Sequence, residues 1–247
     1  MDKLNIKELL ALAITGASAI FCYIFILSNG NNTALPSFIS SIFQKEKFAT
    51  GNAALDALVA LLVLLVIGAF TDYLTRRIIK NRNTFLYKCY AFFSCDIYPA
   101  SRQVINELWP AGNKLRSKID GYAAEDFGET FLENPSERAD KISSDIFDKA
   151  FYSISKKEDH GRDTVLFRQG FYMMLRNIFL VLLLAVFFSL TLIPIGLLPF
   201  KKAGIIVLFF LLINYVIIIP LAKWYRRMLV EALFNHYIQY REQINKP

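Results

Sequence analysis

The fold is decided by residues 177–200, NIFLVLLLAVFFSLTLIPIGLLPF, and residues 203–224, AGIIVLFFLLINYVIIIPLAKW. Each stretch is as long as the roughly 20 residues that an α-helix needs to cross a hydrocarbon core about 30 Å thick. Only Lys201 and Lys202 separate them. The sequence therefore predicts two membrane-spanning helices, joined by a tight two-residue turn into an antiparallel hairpin.

The first part of the chain contains two more apolar blocks. Residues 9–28 carry no charge, and residues 53–73 carry only Asp56 and Asp72, near the two ends, where carboxylates reach headgroups or water. The first block is longer than the roughly 7 to 15 apolar residues of a signal peptide, and no convincing cleavage site follows Ser28. We interpret it as a retained helix.

The composition agrees with four spans. Of 247 residues, 55% are hydrophobic and 20% are charged, and the mean hydropathy is +0.37. Such a chain is neither disordered nor collagen-like. Its three cysteines and two histidines are too few for a disulfide framework or an independent four-ligand metal site.

Lys and Arg residues set the predicted orientation, because the cytoplasmic flanks of membrane spans accumulate them. On one side lie Arg76, Arg77, Lys80, Arg82, Arg168, Arg176, Lys223, Arg226 and Arg227. The other side has only Lys45, Lys47, Lys201 and Lys202. The sequence predicts a multi-pass protein of a cell membrane, the bacterial inner membrane, with both termini in the cytoplasm.

The predicted division has four parts. Residues 1–75 form a first transmembrane hairpin with an exported loop at 29–52, residues 76–176 a cytoplasmic helical domain, residues 177–224 a second transmembrane hairpin, and residues 225–247 a cytoplasmic C-terminal helix. The predicted fold class is an all-α integral membrane protein with four transmembrane helices, two and two, around the cytoplasmic insertion. The last span is prolonged into an amphipathic C-terminal helix packed on that insertion.

The insertion has good helix signals and poor strand signals. Its aromatic-rich stretch, residues 84–97, is either the core helix of the domain or a continuation of the second span along the membrane surface. A break at Asn134 and Pro135 precedes an apolar stripe, and Asp163 or Thr164 is expected to cap a helix that continues into the third span.

Charge is polarised within the insertion. Residues 76–118 have a formal net charge of +7 and residues 119–148 one of −7, so the halves can attract each other or a neighbouring subunit's opposite half. Because the basic half adjoins the second span, anionic lipid headgroups are its expected partner, at about 1 kcal/mol per well-placed cation. The candidate lipid contacts are Arg76, Arg77, Lys80, Arg82, Arg226 and Arg227. Nucleic acid is not an expected partner, because the aromatic residues interleave with too few cations to make a stacking groove.

Few residue patterns carry chemistry. Glu125, Glu129 and Glu133 share a helix face, which suits either a divalent cation or, more commonly, plain solvation. His160 lies in a polar loop and His236 on an apolar helix face, outside any catalytic pattern. The chain has no GxSxG, HExxH or P-loop motif. We expect no enzyme activity, no cofactor and no metal.

The central parts of the predicted spans contain no ionisable residue, which argues against a transporter. The candidate pore or helix-interface residues are Asn214, Ser189, Thr191, Gly16 and Gly68. An Asn in hydrocarbon needs a hydrogen-bond partner, so Asn214 is expected to face another helix, and pore lining is the second interpretation. The glycines allow close approach of helices.

Three function classes follow from this organisation. The first is an oligomeric membrane channel or membrane-perturbing effector gated through its cytoplasmic helical domain, because four short helices form a conduit most simply as a homo-oligomer. The second is a non-enzymatic membrane-anchored scaffold or sensor that docks a soluble cytoplasmic partner. The third is a membrane enzyme or carrier. Small four-span proteins of bacterial anti-phage defence have this general layout, although no residue motif assigns the chain to a family.

Overall fold

The computed structural model describes residues 6–30, 53–80, 85–94, 101–127, 147–148, 151 and 160–244. Over these residues the regular structure is entirely helical, without a strand. The chain forms two compact units. The apolar unit comprises Met1–Cys95 and Met173–Ala222, and the polar unit comprises Asp96–Tyr172 and Lys223–Pro247.

The helices are numbered here in chain order. They are α1 (Ile6–Ser28), α2 (Ala53–Lys80), α3 (Phe85–Ser94), α4 (Ser101–Leu108), α5 (Lys114–Phe127), α6 (His160–Thr191), α7 (Phe200–Ile213) and α8 (Ile219–Ile244), with a π-helical turn, Asn214–Ile218, between α7 and α8.

Four segments of the described chain are long and apolar enough to cross a membrane. They are Ile6–Ser28, Ala54–Ile79, Asp163–Thr191 and Phe200–Gln243. The prediction of an all-α chain with four apolar helices of spanning length is thus confirmed. These helices indicate a membrane-embedded, multi-pass protein.

Two glycines bring the backbones of α1 and α2 into contact. A Cβ added to Gly16 would lie 2.0 Å from the carbonyl oxygen of Leu64, and one added to Gly68 would lie 1.9 Å from that of Leu12. The two helices are antiparallel, because the later residue of α1 meets the earlier residue of α2. Only a residue without a Cβ fits either position, so the glycines determine how closely these helices approach.

The aromatic helix α3 packs within the apolar unit. The Tyr90 ring meets Phe179 of α6 edge to face at 5.3 Å between centroids, and Phe93 meets Phe187 in the same way at 6.0 Å. The structure groups α3 with the apolar helices, because the Tyr90 and Phe93 rings pack against α6. Phe85 and Phe92, on the other hand, are exposed.

The turn between α6 and α7 is not the predicted one. α6 ends at Thr191, nine residues earlier than expected, and Lys201 and Lys202 lie in the first turn of α7. The prediction of a two-residue turn at these lysines is therefore wrong. Pro194 explains the early helix end, because it has no backbone N–H and its ring clashes with a preceding carbonyl. Gly196 then reverses the chain with a φ of +75°.

The polar unit is held together by contacts of α8 with α5 and α6. Lys118 of α5 forms an ion pair with Glu242 of α8. Glu125 of α5 pairs with Arg241 of α8, at 2.6 Å between Oε2 of the glutamate and Nη2 of the arginine. The carboxylate of Glu242 raises the pKa of the Lys118 ammonium. Arg168 of α6 also donates a hydrogen bond to the carbonyl of Met228, at 2.7 Å. In the described part of the insertion, these charges of α5 thus find their partners on the C-terminal helix.

The glycine contact predicts a sharp difference between two Gly→Ala variants. Gly68→Ala should lower the unfolding temperature of the detergent-solubilised protein, because the new methyl group collides with backbone that cannot yield. The expected cost is about 1 to 3 kcal/mol. Gly204→Ala in α7 is the matched control, since no atom lies within 4 Å of its added Cβ. Equal unfolding temperatures for both variants would contradict the close approach of α1 and α2.

Candidate functional site

The first candidate site is a carboxylate shared by two arginines. Asp72 lies on α2, and its Oδ2 accepts a hydrogen bond from Arg76 Nε at 2.6 Å. Its Oδ1 accepts from Arg176 Nη2 at 2.7 Å and from Asn177 Nδ2 at 3.1 Å. Asp72 therefore accepts from three donors, and the two on α6 join α2 to α6. We call these four residues the Asp72 cluster.

Local sequence explains how the Asp72 cluster forms. Asp72 and Arg76 are four residues apart on α2, so their side chains are neighbours on one helix face. Arg176 and Asn177 are consecutive on α6, and both reach the same oxygen. The sequence interpretation had Asp72 near headgroups or water, but this residue is only 8% exposed. The two arginines provide the Asp72 carboxylate with the hydrogen bonds that water would otherwise provide.

The Asp72 cluster has a buried part and an exposed part. Arg176 and Asn177 are 7% and 1% exposed, whereas the Arg76 side chain is 61% exposed. The Arg176 Nε and the Asn177 Oδ1 have no hydrogen-bond partner among the described residues. Two guanidinium groups and one carboxylate leave a formal net charge of +1. A buried charge is costly unless it is paired, so the cluster is under strong electrostatic constraint.

An apolar groove lies next to the Asp72 cluster. Its volume is about 180 Å³. It is lined by Ala19, Cys22, Tyr23 and Ile26 of α1, Thr71 of α2, and Val181, Leu184, Ala185 and Phe188 of α6. This α1–α6 groove adjoins the cluster along two helices, since Thr71 directly precedes Asp72 and Val181 follows Asn177 by one helical turn, although no residue of the cluster lines it. The groove is not visible in the sequence, since it depends on the packing of three separate helices.

The second candidate site is Asn214, the first residue of the π-helical turn. Asn214 is 1% exposed, and neither its amide nitrogen nor its amide oxygen has a hydrogen-bond partner within the described residues. Its backbone carbonyl accepts from the N–H of Ile219, five residues later. Pro220 follows at once and lacks an N–H, which favours irregular hydrogen bonding in the preceding turn. The sequence showed the Asn and the Pro but not the π-helical turn.

The other polar residues proposed for the spans bond within their own helix. Ser189 Oγ donates to the carbonyl of Ala185, and Thr191 Oγ1 to that of Phe188, each at 2.8 Å. Ser189 is fully buried and Thr191 is exposed. These hydroxyls therefore have partners without a neighbouring helix, in contrast to Asn214.

The candidate lipid-binding cations differ in what surrounds them. Arg77 is exposed and donates to Tyr73 Oη at 2.6 Å, and Arg227 is also exposed. Arg226 is 3% exposed, and its guanidinium lies over the Phe147 ring at 4.7 Å, so it is used inside the polar unit. Lys80 ends α2. Arg82 lies outside the described residues. The same is true of two residues of the acidic face, Glu129 and Glu133.

Metal-binding side chains and thiols are scattered over the described part of the chain. No group of three or more His, Cys, Asp or Glu side chains there is placed to hold a metal ion. Cys22 and Cys89 are both free thiols. Glu125 pairs with Arg241. The sites that remain are polar groups inside an apolar helical unit.

The four apolar helices of spanning length indicate the class of membrane-embedded, multi-pass α-helical proteins. Comparison with known proteins goes no further: no family model matches the chain, and no similar curated protein or solved structure is found. Function therefore has to be inferred from the chain's own residues.

The Asp72 cluster predicts a large effect for a small change. Asp72→Asn keeps the size of the side chain but leaves Arg176 buried without a counter-charge, and the expected loss of unfolding free energy is about 3 to 5 kcal/mol. Arg77→Gln is the control, because Arg77 is exposed on the same helix and should cost less than about 1 kcal/mol.

A second variant separates charge from packing. Asp72→Leu combined with Arg176→Leu removes both buried charges and should recover most of the stability lost in Asp72→Asn. Denaturant titration in detergent measures the unfolding free energy of the wild type, of the two single variants and of the double variant. A double variant that is no more stable than Asp72→Asn would show that the ion pair is not the origin of the loss.

Proposed function

We propose that this protein is an oligomeric membrane channel or membrane-perturbing effector that is gated through its helical insertion. The observation that carries the proposal is Asn214: a buried carboxamide with no partner among the described residues, in a π-helical turn, on the helix that leads from the apolar unit into the polar unit.

Continuous helices support transmission of a signal between the two units. α6 begins at His160 in the polar unit and ends at Thr191 in the apolar unit. The rod formed by α7, the π-helical turn and α8 begins at Phe200 in the apolar unit and ends at Ile244 in the polar unit. A change in the polar unit would therefore act directly on two apolar helices. Coupling of this kind needs an element that belongs to both units, which a continuous helix provides.

The buried Asn214 amide destabilises the observed packing of the apolar unit and so favours a second conformation. An unsatisfied buried amide costs about 1 to 3 kcal/mol, so the observed packing carries a penalty that a second arrangement would relieve. π-Helical turns occur frequently at functional sites in helices. In the proposal, the structure is the closed form, and rotation or bending at the π-helical turn brings the Asn214 amide into contact with water or ions.

The exposure of the apolar helices supports assembly of several copies. In its most apolar stretch, α2 is only 11% buried, compared with 72% for α6. α2 is thus peripheral in the monomer, and its outer face is available to lipid or to a second copy of the chain. A closed symmetric ring of copies is the simplest way for four short helices to surround a conduit.

We also propose the membrane in which the protein resides and its orientation there. We place the protein in the bacterial inner membrane, with both termini and the polar unit in the cytoplasm, because the arginines beside α2, α6 and α8 exceed the two lysines at the start of α7. A role in anti-phage defence would fit this layout. A scaffold or sensor that docks a soluble partner would use the same topology without conduction.

Asn214→Leu should separate stability from flux. The substitution removes a buried unsatisfied amide, so the unfolding temperature should stay equal or rise, by about 1 kcal/mol in free energy. Ion flux from proteoliposomes should fall, because a hydrophobic constriction excludes water. Val216→Leu is the matched control, since Val216 lies in the same turn with 64% of its surface exposed. Particle mass is measured on the same preparations.

Each outcome of this experiment is informative. Wild-type protein that forms oligomers and conducts, with flux lost only in Asn214→Leu, supports the channel. A wild-type monomer without flux would overturn the channel and favour the scaffold or sensor. A large drop in stability of Asn214→Leu would show that the amide has a partner in the assembled protein, and that it acts as a helix contact.

Cysteine labelling tests the orientation. In a background in which Cys22, Cys89 and Cys95 are replaced by Ala, Ser117→Cys in α5 should react with a membrane-impermeant reagent only after the cells are opened. Lys201→Cys at the start of α7 should react in intact spheroplasts. Both positions are exposed, so burial does not limit the reaction. The reverse pattern would contradict the proposed topology.

A further inference from the structure

We propose that the α1–α6 groove and Arg76 together bind one anionic phospholipid, with an acyl chain in the groove and the phosphate on the Arg76 guanidinium. The inference rests on the membrane-embedded position of the apolar helices and not on conduction. It assigns a specific lipid site, which is more than a general attraction of basic residues to headgroups.

The groove has the character of a chain-binding site. Its walls are apolar side chains, and the small residues Ala19 and Ala185 leave the space between the helices. From Val181 to Phe188 the groove follows two turns of α6, about 10 Å. Tyr23 and Leu184 at its edge are 44% and 49% exposed, so one side is open to the surroundings. An extended acyl chain can enter from that side, whereas a helix about 10 Å wide is too thick for about 180 Å³.

The polar atoms of the groove do not require a polar ligand. Thr71 Oγ1 already donates to the carbonyl of Ile67, at 2.9 Å. The Cys22 thiol is a weak hydrogen-bonding group that behaves as a small apolar residue. The groove is therefore chemically suited to hydrocarbon over its length, and the charged residues of the Asp72 cluster begin directly after Thr71.

The charge of the Asp72 cluster is of the right sign and size for a phosphodiester. Asp72 neutralises one of the two arginines bound to it, so the cluster keeps a formal +1 charge. A lipid phosphate, at −1, would bring it to neutrality. A neutral cluster is much more favourable at the edge of a membrane than a charged one.

Arg76 is the residue that can reach the phosphate. Its Nε is bound to Asp72, which orients the guanidinium, while its Nη2 has, among the described residues, the weak thioether acceptor of Met173 at 3.8 Å. The side chain is 61% exposed. A guanidinium held in this way can donate two parallel hydrogen bonds to a phosphate. Arg176 is buried and acts as a positioning residue through Asp72.

The test is a lipid titration of the full-length protein in mild detergent. Phosphatidylglycerol, phosphatidylcholine and inorganic phosphate are compared by native mass spectrometry, with the rise in unfolding temperature as a second readout. We expect one tightly bound phosphatidylglycerol per chain, weaker binding of phosphatidylcholine, and no stabilisation by inorganic phosphate. Stabilisation by inorganic phosphate equal to that by phosphatidylglycerol would overturn the acyl-chain part of the proposal.

Three variants assign the binding to the site. Arg76→Gln should weaken phosphatidylglycerol by about fivefold, equivalent to about 1 kcal/mol, and leave phosphatidylcholine unchanged. Arg77→Gln, the neighbouring exposed cation, should have less than a twofold effect. Ala19→Leu fills the groove and should weaken both lipids.

Several results would count against the site. Equal losses in Arg76→Gln and Arg77→Gln would mean nonspecific headgroup attraction, and unchanged lipid binding with altered oligomer mass in Ala19→Leu would mean that a second copy occupies the groove. Lipid binding and ion flux are measured separately. A negative result for lipid binding therefore does not contradict the channel proposal, and absence of flux does not contradict the lipid site.

Discussion

The carboxylate of Asp72 is the interaction on which the arrangement of the apolar helices depends. Close backbone contact at Gly16 and Gly68 joins α1 to α2, but that contact is nonpolar and says nothing about α6. Asp72 connects α2 to α6, since Arg176 and Asn177 of α6 donate hydrogen bonds to it directly. In a low-dielectric surrounding the pair is far stronger than on a water-exposed surface, and it fixes the position of α2 along α6. The α1–α6 groove exists because these three helices are held in this register.

Much of the fold could be predicted because hydrophobicity over 20 residues is a strong signal. The four apolar helices follow from it, and the proximity of α1 and α2 follows from small residues at Gly16 and Gly68. The end of α6 could not be predicted in this way. Residues 192–199 are as apolar as the helix before them, so composition does not distinguish helix from turn, and only the conformational preferences of Pro194 and Gly196 do.

The candidate sites were less predictable than the helices. The spacing of Asp72 and Arg76 was visible, but the contact of Asp72 with Arg176 joins residues 104 positions apart, and a single sequence contains no record of such a pair. Asn214 stands out in the sequence as a carboxamide within an apolar span, but its lack of a hydrogen-bond partner among the described residues depends on the packing around it. Long-range pairing and burial are properties of the folded chain, and local patterns predict neither.

The distance in sequence between Asp72 and Arg176 has a consequence for biosynthesis. A ribosome adds about 5 to 20 residues per second, so Arg176 is made roughly 5 to 20 seconds after Asp72. During this interval Arg76, four residues away on α2, is the cation with which the Asp72 carboxylate can pair. The late arrival of α6 then completes the ion pair. The contact of α2 with α6 is therefore made late in synthesis, after both partners of the α1–α2 glycine contact are available.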